Sequence, residues 1–310
     1  MAEVINTLTK INELAVNDTQ QFISIAENRY YESLDTIVSR ICKNPEIEIV
    51  LLAGPSSSGK TTTANKINEK LSESGHKAYT ISLDDFYRNA KDAIINEETG
   101  KPDYESVNSL QLDLLSAVLK RLVEERKSFI PRYDFESGIR TDKAFEIELE
   151  EGDVVILEGL HALNPIIYSA LPADALLKIY ISVSTRIYDD EGHVLLTKRD
   201  LRLVRRTVRD YQFRSSSVEN TFDMWDDVLD GENKYLAPYK YCADILIDSI
   251  HNYEPCVFKN EALELFKAVE QDSVWYNETQ RLSNKLLKFN TIPRDAVPQT
   301  SLLREFLGKK

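Results

Sequence analysis

The apolar run at residues 47–53 passes without a break into Gly54-Pro55-Ser56-Ser57-Ser58-Gly59-Lys60-Thr61, and a helix-period pattern leaves it over 61–72. A strand that ends in a glycine-bounded loop and continues as a helix is a βα unit, and its strand needs parallel neighbours to pair its backbone. The octapeptide matches G-x-x-x-x-G-K-[ST] at every specified position. Its glycines let the backbone turn N–H groups inward around phosphate oxygens, at a helix amino end whose dipole favours anions. Gly54, Ser56, Ser57, Ser58, Gly59, Lys60, Thr61 and Thr62 are therefore the expected holders of the phosphates of ATP. Lys60 is expected to reach the β- and γ-phosphates and the Thr61 hydroxyl to ligate Mg²⁺.

Four further short apolar runs, at 78–83, 154–157, 177–183 and 243–247, read as buried strands, and helical patterns at 110–125, 201–211 and 256–269 lie between or after them. The alternation predicts an α/β three-layer fold of the P-loop NTPase kind with a five-stranded, mainly parallel sheet, whose ligands sit at the carboxyl ends of the strands. Residues 8–43 carry Leu8, Ile11, Leu14, Phe22, Ile25, Tyr30, Leu34, Ile37 and Val38 at spacings near three and four, which predicts a helical hairpin. The segment 130–150 breaks the alternation with aromatic and β-compatible residues around Gly138, and reads as an inserted β-hairpin that floors an acceptor pocket. The expected organisation is a helical N-terminal extension at 1–45, a P-loop domain at 46–255 with its insert at 130–150 and a lid at 190–216, and a helical C-terminal region at 256–310.

Composition narrows the partners. The chain of 310 residues has 51 acidic against 38 basic side chains, a formal net charge of −13, so its summed field repels nucleic acid and anionic membranes. An anionic ligand then needs a local cluster of cations, and Lys198, Arg199, Arg202, Arg205, Arg206, Arg209 and Arg214 supply one. Arg202, Arg205, Arg206 and Arg209 fall at helical offsets of zero, three, four and seven, a cationic face opposite Leu201, Val204 and Val208. This segment reads either as a lid that clamps phosphates or as a solvated, salt-bridged face. The three cysteines, Cys42, Cys242 and Cys256, have no CxxC spacing, and no stretch is long and apolar enough for a membrane span. A cytoplasmic protein with a small-molecule acceptor is expected, and a homo-oligomer is compatible with the sequence.

Two carboxylates carry the expected chemistry. Glu158 ends the apolar run that starts at Asp153, where a strand parallel to the loop strand delivers it to the Mg²⁺ beside Thr61. Asp84, the earlier of the Asp84-Asp85 pair at the exit of the 78–83 strand, is placed to accept the proton of an attacking hydroxyl. Asp84, Lys60, Arg206 and Arg209 are thus the expected catalytic set. His161, just past Glu158-Gly159, either lines the acceptor pocket or is a satisfied structural histidine.

These residues resemble the uridine kinase/phosphoribulokinase group of P-loop kinases, in which Gly54 to Thr61, Leu83-Asp84-Asp85-Phe86-Tyr87, Tyr133-Asp134-Phe135, Leu157-Glu158-Gly159 and Arg205-Arg206-Thr207-Val208-Arg209-Asp210 recur in this order. The resemblance covers roughly residues 47 to 250. It implies a catalytic base at Asp84, acceptor-side positions at Tyr87, Asp103, Tyr133 and Phe135, lid arginines at Arg206 and Arg209, and Asp244 close to the nucleotide base. The match departs where the family reads a pyrimidine. Gly138 stands where a histidine is expected, and Ser216 and Met224 stand where an arginine and a glutamine are expected.

The leading expectation is an ATP-dependent kinase acting on a hydroxyl, with a nucleoside as the family default. A kinase for a sugar, sugar phosphate or polyol and a non-catalytic ATP-binding regulatory protein remain open at this point. A nucleic-acid kinase is disfavoured by the acidic balance.

Overall fold

The computed structural model describes residues 5–95, 100 and 102–308, so residues 1–4 of the N-terminal extension and 309–310 of the C-terminal region lie outside the description. The chain runs α1 (Leu8–Asn17), α2 (Thr19–Lys43), β1 (Ile49–Ala53), α3 (Lys60–Glu73), β2 (Ala78–Ser82), α4 (Leu112–Glu124), β3 (Lys127–Asp134), β4 (Ile139–Glu148) and β5 (Val154–Glu158). It continues with α5 (Pro165–Tyr168), β6 (Leu176–Ser182), β7 (Ile187–Tyr188), β8 (Val194–Leu196), α6 (Lys198–Arg214), α7 (Val218–Asp223), α8 (Trp225–Tyr235), β9 (Ile245–Asp248), α9 (Glu254–Lys267), α10 (Tyr276–Leu286) and α11 (Arg304–Leu307).

The sheet has the order β2-β5-β1-β6-β9, and every pairing in it is parallel. β1 and β5 are buried at all five positions, as strands covered on both faces must be. Alternate residues of β1 enter different cores. Val50 and Leu52 join α2, α3, α6 and α9, while Ile49, Leu51 and Ala53 join α4 and Leu163. The result is the expected α/β three-layer arrangement, and all five expected strands are present. β3 and β4 form the expected antiparallel hairpin with Gly138 at its turn, in the left-handed region at φ 65°.

The helical additions at the two ends share the core under the sheet. Phe22, Tyr30 and Leu34 of α2 and Leu302, Leu303, Phe306 and Leu307 near the C-terminus belong to the same buried cluster as Leu52 and Ile156. The boundaries at 45 and 255 thus separate no independent cores. Asp18 interrupts the predicted helical stretch between α1 and α2, and its carboxylate accepts the amide of Gln21 as the amino-terminal cap of α2. Among the described residues no helix is long and apolar enough to cross a membrane.

Candidate active site

The carboxyl ends of β1, β2 and β5 open onto a cleft of about 740 Å³ that the phosphate loop, Asp84, Glu158 and three arginines line together. Parallel pairing brings them there. The registers Leu52↔Glu158 and Ser82↔Glu158 set the end of β5 between the loop strand and the strand that leads to Asp84.

The loop is built as its glycines require. A Cβ on Gly54 would strike the carbonyl oxygen of Ile181, and Gly59 caps α3 in the left-handed region at φ 91°. The hydroxyls of Ser57 and Ser58 are buried without a hydrogen-bond partner among the described residues. Buried donors of this kind normally find an acceptor, and phosphate oxygens in the loop would supply it. Lys60 reaches back across the loop, its Nζ donating to the Pro55 carbonyl at 3.2 Å.

Thr61 Oγ1 lies 3.4 Å from a carboxylate oxygen of Glu158. Burial pushes the Glu158 carboxyl up to about 7; Lys60 pulls against this, and Asp84 adds to it. A hydroxyl and a carboxylate side by side are the hard oxygen donors that Mg²⁺ takes, so these residues fit that ion.

Asp84 stands in the short 3₁₀ turn Leu83–Phe86 that follows β2. Its carboxylate opens into the cleft and makes no hydrogen bond or ion pair among the described residues. The surrounding protein raises its pKa while the Lys60 charge opposes the shift. Asp85 is committed elsewhere: it accepts the Tyr133 amide at 3.2 Å and faces the Arg132 guanidinium at 3.8 Å.

The arginine segment departs from the expected lid. α6 begins at a reciprocal cap between Thr197 and Asp200, and it packs as a core helix with Leu201, Val204 and Val208 buried. Arg202 and Arg205 are also buried. Arg202 pairs with Glu232 and donates to the Ser56 carbonyl at 2.8 Å, while Arg205 pairs with Glu254 and donates to the Ser57 carbonyl at 3.3 Å. These two hold the loop backbone from behind and cannot act as a mobile clamp. Arg206 and Arg209 do line the cleft, and Arg206 donates to the Ser56 hydroxyl at 2.8 Å. Arg214 joins them, and the buried carboxylate of Asp210 pairs with all three.

The facing wall is aromatic. Tyr87 and Phe135 line the cleft as expected, and the Tyr87 hydroxyl donates to the Tyr104 carbonyl at 2.8 Å. Tyr133 lies behind them, 5 % exposed and edge-on to both rings, so it supports the wall without lining it. Asp103 does not line the cleft either. Its carboxylate accepts the amides of Glu105 and Ser106, at 3.1 and 3.0 Å, and is consumed by its own turn. Glu105 faces the cleft instead, packed against Gly231 of α8. Burial raises its pKa to about 7, with the charge of Glu232 adding to the effect.

Two expected ligands lie away from the cleft. His161 is buried edge-on to Tyr235 and does not line the cleft, burial lowers its pKa to about 4, and both its ring nitrogens lack a hydrogen-bond partner among the described residues, so it is not the satisfied histidine of the alternative reading. Asp244 precedes β9, where it accepts the Lys178 amide at 2.8 Å. That is the amino edge of a parallel sheet, opposite the phosphate loop, and no nucleotide held by the loop extends through the sheet to it.

Among the polar side chains of the cleft, Tyr104, Glu105, Glu232 and Glu305 have no place in the sequence reading as ligands, and Arg214 appears there only within the basic cluster. Arg214 carried a signal, since it stands at i+4 from Asp210 and i+8 from Arg206 in the basic run. The other four come from segments with no local motif.

The model of the Phosphoribulokinase / Uridine kinase family matches residues 49–254. A uridine kinase of Macrococcus caseolyticus is 32% identical over 200 residues, 64% of this chain and 86% of the relative. A uridine kinase of Lactobacillus johnsonii is 29% identical over 200 residues, covering 64% and 85%. A solved structure described as a possible uridine kinase from Bacillus stearothermophilus superposes with a TM-score of 0.49 at 17% identity, over 70% of this chain and 98% of that one. A family match that begins at the first residue of β1 and ends beyond β9 takes in every strand of the parallel sheet, and this chain accordingly belongs to the phosphoribulokinase/uridine kinase family of kinases.

Proposed function

We propose that the protein transfers the γ-phosphate of ATP, with Mg²⁺, to a hydroxyl of a small molecule, by family default a nucleoside of the uridine or cytidine type. The observation that carries this reading is Asp84, an uncommitted carboxylate that shares one cleft with Lys60 and the phosphate loop. In this reading the acceptor hydroxyl approaches between Asp84 and the loop. Its oxygen bonds to the γ-phosphorus, the bond from that phosphorus to the β–γ bridging oxygen breaks, and the hydroxyl proton passes to the Asp84 carboxylate. Lys60, Arg206 and Arg209 neutralise charge on the phosphate oxygens, a function for which a carboxylate-rich chain needs local cations. Thr61 and Glu158 would hold Mg²⁺, which when bound neutralises charge on the β- and γ-phosphates.

The acceptor is the less constrained half. Gly138 sits at a positive φ with a would-be Cβ 2.6 Å from Ala90, so the base-reading histidine of uridine and cytidine kinases has no room at this turn. With Arg206, Arg209 and Arg214 in the same cleft, this favours a second reading in which the acceptor is a sugar, sugar phosphate or other polyol.

The test is ADP formation by wild type and Asp84→Asn with nucleosides, sugars, sugar phosphates and polyols offered separately. The expected result is turnover with one acceptor class and a loss of about 10²- to 10⁴-fold in kcat for the variant, with nucleotide binding retained. ATP binding without product from any acceptor would point to a regulatory nucleotide-binding protein and sink both kinase readings.

A further inference from the structure

The chain's own C-terminal segment reaches the phosphate loop. Leu302, Leu303, Phe306 and Leu307 are buried in the core beneath the sheet, and the Phe306 ring lies 5.1 Å under the Arg205 guanidinium that supports the loop. The side chain of Leu302 stands 2.5 Å from where a Cβ on Gly59 would be, so the segment abuts the loop at its second glycine. Arg304 fastens the turn from the other side by donating to the carbonyls of Pro298 and Val297. Glu305 is thereby presented to the cleft from a fixed backbone.

Its carboxylate is engaged at the amino end of α3. Thr62 Oγ1 donates to Glu305 Oε2 at 2.6 Å, and the Thr62 amide points to the same oxygen at 3.4 Å. Thr62 is the third residue of a fourteen-residue helix, so its amide is one of the donors without an intrahelical acceptor. Those donors, with the helix dipole behind them, are what a phosphate loop offers to a nucleotide. The same carboxylate is also felt electrostatically at Glu158.

We propose that Glu305 is a built-in competitor of the nucleotide: its carboxylate occupies a phosphate-binding donor pair at Thr62, and a nucleoside di- or triphosphate displaces it to bind fully. The C-terminal segment then sets nucleotide affinity from within the chain. An anion already seated on Thr62 lowers the free energy of the empty site and repels the incoming phosphates, and both effects weaken binding. The inference rests on the reading that the loop binds ATP.

The test uses the full chain with Glu305→Gln and Glu305→Asp, measuring Kd for Mg·ADP by calorimetry and the thermal unfolding of the nucleotide-free protein. Glu305→Gln removes the charge at nearly constant volume, and its Kd is expected to tighten about tenfold while its unfolding temperature falls slightly. Glu305→Asp keeps the charge but is too short to reach Thr62 and is expected to lie between. A merely structural Glu305 would lose stability and affinity together, so an unchanged or weaker Kd in Glu305→Gln, with wild type still binding ADP, overturns the inference alone. Absence of ADP binding in wild type and both variants overturns the loop reading and the inference with it.

Discussion

On the phosphate side of the cleft, Arg205 is completely buried, pairs with Glu254 and donates to the carbonyls of Ser57 and Ser249; on the opposite side, Phe135 is 65 % exposed and meets the rings of Tyr87 and Tyr133 edge-on. The loop wall, the donor wall in the proposed reading, is held by buried ion pairs and backbone hydrogen bonds. The acceptor wall hangs on a hairpin beside the sheet, with side chains that water already reaches. Side chains on this wall can therefore be exchanged without disturbing the loop that faces it.

If this division is right, substitutions on the two walls separate into those that unfold the protein and those that alter its substrate. Arg205→Ala is expected to have the largest effect, a loss of about 3–5 kcal/mol, because it leaves the Glu254 carboxylate buried and unpaired. Chemical denaturation checks this, and a loss under about 1 kcal/mol would break the comparison at its firmest point. Gly138→His comes next, at about 1–2 kcal/mol of strain from the left-handed backbone, before the contact with Ala90 is counted. Measured beside it, uridine turnover is expected not to improve, since a strained turn does not aim a ring into the cleft.

Glu105→Gln tests the acceptor wall through pH. The folded carboxyl is raised to about 7 from an ordinary value of 4.5, so folding carries no penalty below 4.5, a growing one between 4.5 and 7, and a constant one above. The variant is therefore expected to be more stable than wild type at pH 8 by about 1–2 kcal/mol, allowing for the partial exposure of Glu105, and equal to it at pH 4. Thermal melts at the two pH values decide it, and a constant difference would remove Glu105 as the source. Phe135→Ala is expected to move stability by less than about 0.5 kcal/mol while raising the acceptor KM several-fold and leaving the Kd for ADP unchanged. A shift in ADP binding would show that the walls are coupled.

The donor wall was also the legible one. A phosphate loop is contiguous, with strand, turn and helix following within one short motif, and Glu158 and Asp84 could be located because one ends a buried strand and the other lies just past the end of its neighbour. The hairpin was visible from its composition, and its turn from Gly138. Legibility failed where one side chain had to be chosen from a segment. Asp103 and Glu105 are two residues apart, and only the turn that consumes the Asp103 carboxylate shows that Glu105 faces the cleft. The arginine face was correct as a periodicity, yet periodicity does not say what covers a face. Arg202 and Arg205 went to the loop carbonyls and Arg206 and Arg209 to the cleft, because α9 and the C-terminal segment pack on one flank of α6 and leave the other open.

By itself the sequence determined the parallel α/β sheet, the phosphate loop at its centre and the two carboxylates at neighbouring strand ends, since each is written in residues that are close along the chain. The tertiary structure alone decided that Tyr133, His161, Asp103 and Asp244 stand outside the cleft and that Glu105, Glu232 and Glu305 stand within it. Glu305 meets Thr62 across 243 positions of sequence. No local pattern encodes such a contact, because it follows from how whole layers pack and where the chain's last turn is buried.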